Sequence, residues 1–228
     1  MTTLKFVAAA LSLALAAAAG SAFAAPVIIQ PANGKDAQIV DGNLGTNNLG
    51  NSQFVMDNWA GNNRAIGLVE FDLSAYAGST VTDAKFGLFH LFNGSAGTTY
   101  NVFRVTSAWD ESTVTFNTAP SINAVAAATL TIGDTLTDVY REWDLTALVN
   151  GWLAGTFANF GIWIEEVPIA GAGVAYFASS DYAGAGAGTG TDPYLKFNTG
   201  ASGVPEPTTL LLVGAALMAA GAARRRAA

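Results

Sequence analysis

DAKFGLFHLF, Asp83 to Phe92, is the stretch that decides the fold. Phe86, Leu88, His90 and Phe92 fall on one side of an extended chain, and Gly87, Phe89 and Leu91 on the other. Successive side chains of a strand point to opposite faces, so this is a period of two. A helix would need its apolar groups three and four residues apart. Working outward, RAIGLVEFDLS (Arg64 to Ser74) sets Ile66, Leu68 and Glu70 against Ala65, Gly67, Val69 and Phe71. TYNVFRV (Thr99 to Val105) is a third run, rich in β-branched and aromatic residues. Further strands are expected at Ala37–Val40, Phe54–Trp59, Thr113–Phe116, Ala127–Ile132, Gly161–Glu165, Val174–Ala178 and Tyr194–Asn198. Turn clusters separate them, among them Asp41-Gly42-Asn43, Gly61-Asn62-Asn63 and Asn93-Gly94-Ser95. Many short strands with Gly/Asn turns predict an all-β, jelly-roll-like antiparallel sandwich.

One segment breaks the pattern. In WDLTALVNGWLAG (Trp143 to Gly155), Leu145, Leu148, Val149 and Trp152 fall on one face of a short helix. Asp144 is its expected N-cap and Gly155 its expected stop, with Trp152 in the core. GAGAGTGTD (Gly184 to Asp192) has too few side chains to pack and reads as a loop.

The 228 residues divide into three parts: 1–25, 26–200 and 201–228. The first carries Lys5, an apolar run from Phe6 to Ala19, and small residues ending at Ala25. That is the layout of a secretory signal peptide, helical and removed by signal peptidase. The body keeps six basic residues (Lys35, Arg64, Lys85, Arg104, Arg141, Lys196) against sixteen acidic ones. Such a surface repels a polyanion, which argues against nucleic acid as a partner. No cysteine is present, so thiol catalysis and Cys-ligated zinc are excluded.

The chain ends VPEPTTLLLVGAALMAAGAARRRAA. Thr208 to Ala223 is uncharged, and Arg224, Arg225 and Arg226 follow it. A helix there would rise roughly 24 Å at 1.5 Å per residue, short but workable for a membrane of about 30 Å. The arginines would hold its end in the cytoplasm and leave the body outside. Pro205 and Pro207 bracket Glu206 and keep that triplet extended, accessible to a peptidase.

In order and composition this tail resembles the PEP-CTERM sorting signal. The resemblance implies recognition of Pro205-Glu206-Pro207 by an exosortase-type membrane peptidase. It also implies a transient stay in the inner membrane, then transfer to the cell surface or release. The body resembles DNRLRE-type domains, a bacterial extracellular β-sandwich family related to carbohydrate-binding modules. The matching stretches are LVEFDLS, TVTDAKFGLF, YNVFRVTSAWDESTVTFNTAP, WDLTALVNGWLAG, GIWIEE, and YFASSDY followed by DPYLKF. The arginine-rich piece that names that family is here only Asn62-Asn63-Arg64-Ala65. The resemblance implies a non-catalytic role, binding polysaccharide or supporting a surface structure, with exopolysaccharide as the partner. A module with a defined glycan site is the alternative, and a polysaccharide-degrading enzyme the third reading.

For catalysis the residues offer little. His90 is the sole histidine and sits mid-strand among Phe89 and Leu91, as a structural residue would. Asp110-Glu111 and Glu165-Glu166 are adjacent carboxylates, which on a strand point to opposite faces and make no dyad. They are expected to be solvated, or in the case of Asp110 to cap a turn. Asp36, Asp41, Asn43 and Asp57 are the candidate oxygen ligands for calcium, at one edge of the sandwich. Trp59 and Tyr182 are the candidate sugar-stacking residues, and Arg64, Arg104 and Arg141 would pair with uronate carboxylates if they lay together.

Overall fold

The computed structural model describes residues 25–41, 52–57, 64–94, 96–169, 173–182 and 190–199. Both terminal segments, 1–24 and 200–228, lie outside the described residues, as do the expected signal helix and sorting tail. Eleven strands are formed: β1 (Val27–Ile29), β2 (Asp36–Val40), β3 (Gln53–Met56), β4 (Ala65–Val69), β5 (Val81–Asn93), β6 (Thr98–Arg104), β7 (Ala128–Ile132), β8 (Val139–Asp144), β9 (Ile162–Glu166), β10 (Ala175–Ala178) and β11 (Tyr194–Thr199). They make two antiparallel sheets. One runs β1-β11-β5-β10-β3 with β8 also on β5, and the other runs β2-β4-β9-β6-β7. This is the expected all-β sandwich with one short helix.

Phe86 and Leu88 of the opening stretch are buried, together with His90, and pack with Trp143, Tyr100, Phe177 and Ile164 between the sheets. Phe92, expected on that side, is 46 % exposed, because the register shifts where β10 pairs the end of β5. A second core lies on the outer face of the smaller sheet. There Ile39, Leu68 and Trp163 are covered by Trp109 and Val114 of the long β6–β7 connection. Both faces of β4 are thus buried, which is why its apolar residues do not alternate with polar ones.

The topology around β5 positions the site. Residues 85–90 of β5 pair β8, and residues 81–87 pair β11, so these neighbours occupy opposite edges. His90 opposes both Val139 of β8 and Phe177 of β10, which puts β10 on the β11 edge. β10 and β11 therefore follow one another along a single edge in the same direction. Ser179 to Pro193 separate them in sequence, and of these 183–189, the greater part of the expected glycine loop, lie outside the described residues.

The helix α1 (Thr146–Leu153) buries Leu148, Val149 and Trp152 as expected. It begins one residue later than the sequence suggests. Asp144 still caps it, since its Oδ1 accepts from the Thr146 amide at 3.0 Å and the Thr146 hydroxyl at 2.7 Å. Gly155, at φ +67°, ends the helix. Its amide donates to Trp152 and that of Thr156 to Gly151, a left-handed cap that satisfies the last carbonyls. Asn150 ties α1 to the sheet by bonding both the amide and the carbonyl of Val81, each at 2.9 Å.

Three expectations differ from the fold. Thr113–Phe116 is no strand: Thr113 and Val114 donate to the Asp110 carbonyl in a turn, and a 3-10 turn follows at Phe116–Thr118. Strands β1 and β8 were not foreseen, because VII is too short and VYREWD too polar to read as core. The strand expected over Phe54–Trp59 stops at Met56.

Candidate functional site

The outer face of the larger sheet carries a row of aromatic rings. Tyr194 of β11 and Glu142 of β8 flank Gly87 of β5 in register. A Cβ on Gly87 would lie 2.3 to 2.7 Å from three atoms of the Tyr194 ring. That ring therefore lies over the missing side chain of Gly87, and the Lys196 ammonium sits 5.5 Å from its centroid. Its hydroxyl donates to the Glu142 carboxylate; burial, and after it this contact, pushes the phenol upward. Tyr140 of β8 packs against it at 4.7 Å between centroids, and Phe89 of β5 meets Tyr140 edge-on at 5.3 Å. The Tyr140 hydroxyl lies 2.9 Å from the carbonyls of both Gly190 and Asp192 and shares its one hydrogen between them, so these two residues, just ahead of β11, hold the ring. Farther along β5, Phe92 and Tyr176 form another ring pair at 5.3 Å. Beside Tyr140 a groove of about 280 Å³ opens between β7 and β8, lined by Thr131, Asp134, Arg141 and Glu142 among others.

The cations are dispersed and engaged. Lys35 pairs with Glu70 at 2.7 Å, Arg64 with Glu165 at 2.6 Å, and Arg141 with Asp134 at 2.5 Å. Lys196 pairs with Glu142 at 2.7 Å, and Lys85 with Asp144 at 2.8 Å and Asp83 at 3.4 Å. Arg104 stacks on Phe157, 4.3 Å from its centroid. Arg64 and Arg104 sit near opposite ends of the smaller sheet and Arg141 on the other sheet. The structure does not bring the three arginines together.

The expected calcium ligands divide into two places. Asp36 opens β2 opposite Val69, while Asp41 follows Val40, which opposes Ala65. Five residues of strand at about 3.3 Å each put them roughly 16 Å apart. Asp41 donates its amide to Arg64, and the Asp57 carbonyl accepts from Ala65, so these two share the far end. Asn43 and Trp59 lie outside the described residues. Asp36 instead meets Glu111 and Asp181, with one carboxylate oxygen from each within 4.8 Å of the others. Ser180 donates its amide to Asp36 at 2.7 Å. Burial, helped by the two neighbouring carboxylates, pushes Asp36 up to about 7, and burial raises Glu111 as well. Tyr182 follows this cluster, half-buried, with its amide on Ser179. Three carboxylates are hard donors of the kind calcium takes, but calcium needs six to eight oxygens.

A family model for carbohydrate-binding module family 96 matches residues 28–199, three quarters of the chain. The chain belongs to that family. A model of the PEP-CTERM protein-sorting motif matches residues 203–226, beyond the module. No curated protein matches the chain.

Within the module Asp110 is exposed and caps a turn as expected, whereas Glu165 and Glu166 are engaged or buried. Glu165 faces outward, bound to Arg64 and to the Trp163 indole N–H at 2.9 Å. Glu166 faces the interior, where burial, with Asp57 adding to it, pushes it up to about 7. Asp110 caps a turn through the Ser112 amide at 2.8 Å. His90 is fully buried, stacked on Phe177 at 4.7 Å, and accepts at Nδ1 from the Arg141 Nε at 3.2 Å. Sequence reasoning passed over Tyr194, Tyr140 and Phe89. Tyr194 and Phe89 sit next to buried Leu195 and Leu88, and Tyr140 sits next to Arg141, which reaches the buried His90, so all three point away from the core. That alternation was legible; the meeting of three strands was not.

Among the described residues no helix is long and apolar enough to cross a membrane.

Proposed function

We propose that this protein is exported and held briefly in the inner membrane by its tail. An exosortase-type peptidase then cuts it near Pro205-Glu206-Pro207, and it acts outside the cell as a non-catalytic binder of exopolysaccharide. Arg224, Arg225 and Arg226 are the charges that retain the tail until cleavage. The observation that carries this reading is the joint match of a carbohydrate-binding module over 28–199 and a sorting motif over 203–226. The aromatic shelf over Gly87 supports the binding half. The lack of catalysis is supported by the burial of His90 and by the adjacent acids, whose carboxylates lie on opposite faces of β9 or in a turn.

Three measurements test it. Mass spectrometry of the protein from its native cell should find an N-terminus near Ala25 and a C-terminus near Glu206. Replacing Pro205-Glu206-Pro207 with alanines should leave an untrimmed, membrane-bound form; normal trimming of that variant would refute the sorting half. A glycan array on the exported protein tests the other half, and silence across all glycans would refute it.

A further inference from the structure

We propose that the end of the module carrying α1 is the surface turned toward the membrane and its peptidase during sorting, and that the folded module leaves the peptidase only the spacer 200–204 to draw on. This rests on the exported, tail-held reading above and adds which end of the module meets the membrane.

The strand register carries the argument. β1 runs antiparallel to β11, with Val27 opposite Phe197 and Ile29 opposite Leu195. β11 runs antiparallel to β5 in turn, and Thr199 lies opposite Val81. The chain therefore enters β1 and leaves β11 at one end of the larger sheet, the end where β5 begins. α1 sits at that same end, since Asn150 bonds the amide and the carbonyl of Val81, and the Gly78 amide donates to Leu153 at 2.8 Å. At the opposite end β5 closes with Asn93, which opposes Ala175 of β10 and whose side chain donates to the Asp134 carbonyl at 2.8 Å. β5 has 13 residues, which at about 3.3 Å each separate the two ends by roughly 40 Å.

Two limits follow. From Thr199 to Thr208, where the apolar run begins, the chain reaches at most roughly 30 Å even when fully extended. That is shorter than the module, so the module cannot invert and rest its far end on the bilayer while the tail is inserted. β11 cannot lend further length. It lies between β1 and β5, with Leu195 and Phe197 buried and Tyr76 edge-on to Phe197 at 5.1 Å between centroids. Drawing its end out of the sheet would leave ladder groups unpaired and open the core. A peptidase that takes its substrate extended therefore has only Gly200-Ala201-Ser202-Gly203-Val204 between the sheet and Pro205. Cleavage then depends on the length of this spacer and not on its sequence.

The test uses the full chain in its native cell and, from cells lacking the peptidase, the untrimmed chain in phosphatidylethanolamine–phosphatidylglycerol vesicles. Deleting 200–204 should abolish trimming near the triplet, read by mass spectrometry of the C-terminus, while circular dichroism finds the module folded. A Gly/Ser spacer of the same length should restore trimming. The chain has no cysteine, so Ser74→Cys at the α1 end and Leu136→Cys at the far end, both exposed positions, each carry a single dye. Energy transfer to an acceptor on the lipid headgroups should be stronger from position 74 than from position 136. Trimming of the deletion variant at the native rate, or failure of the Gly/Ser spacer to restore it, would overturn the spacer limit. Equal transfer from the two positions, or stronger transfer from 136, would overturn the orientation. Those outcomes leave the sorting reading intact. A native chain that is never trimmed near the triplet would instead sink that reading, and this inference with it.

Discussion

Replacing Asp36 with asparagine should make the protein more stable, and only above a certain pH. Asp36 is 5 % exposed, and Glu111 and Asp181 bring their carboxylates within 4.8 Å of it. Burial is the largest cause pushing its carboxyl from 3.8 to about 7, and the bonds from Ser180 pull it back only in part. Between about pH 4 and pH 7 the folded protein thus keeps a proton that the unfolded chain has released. Stability falls as pH rises through that window, and the loss is complete above the folded value. Three pH units at about 1.4 kcal/mol each give about 4 kcal/mol as an upper bound. Asparagine keeps the shape, and keeps an oxygen for the Ser180 amide, but carries no charge. At pH 4 the variant and the native protein should unfold together. At pH 8 the variant should be ahead by up to about 4 kcal/mol, on the order of 10 °C in Tm for a domain of this size. Glu166, also raised to about 7, acts alike in both proteins and cancels in the difference. The assay is thermal unfolding by circular dichroism from pH 4 to 8, with a chelator present. A cation held by the three carboxylates would keep Asp36 ionised and mask the effect. A Tm difference that stays constant across this range, or a variant that falls behind at pH 8, would refute the reasoning.

Other outcomes follow from the same structure. Asp144→Ala should cost about 1 kcal/mol at pH 7 by uncapping α1. The Lys85 pair and the Thr146 bonds hold that carboxyl down at about 2, so its contribution is present above pH 4 and fades toward pH 2; urea unfolding at pH 7 and pH 2 checks both halves. Phe177→Ala removes a fully buried ring that packs on His90, Tyr100 and Trp143. It should lower stability by about 3–5 kcal/mol, read as a drop in the urea midpoint. Gly155→Ala forces a Cβ into the left-handed region at φ +67° and should cost about 1 kcal/mol, with no change in glycan binding.

The sequence determined more here than strands and turns. Alternation over Asp83–Phe92 fixed one long strand with a buried face, because side chains on a pleated backbone have no other way to separate. The helix over Trp143–Gly155 was legible for the same kind of reason: its apolar stripe, its cap and its glycine stop are all local. So was the sorting tail, whose triplet, apolar run and arginines act in order along the chain. What the sequence could not decide was which distant residues meet. Asp36 and Asp41, five residues apart, looked like one ligand set and are held at opposite ends of β2. Asp36 finds its neighbours instead at Glu111 and Asp181, far away along the chain. Glu165 and Glu166 both read as solvated acids, yet one binds Arg64 and the other is buried. Tyr194, Gly87 and Tyr140 come from three separate strands and become a surface only when β11 and β8 flank β5. Register is set by hydrogen bonds between strands and by the volume of the shared core, and neither is written at any single position.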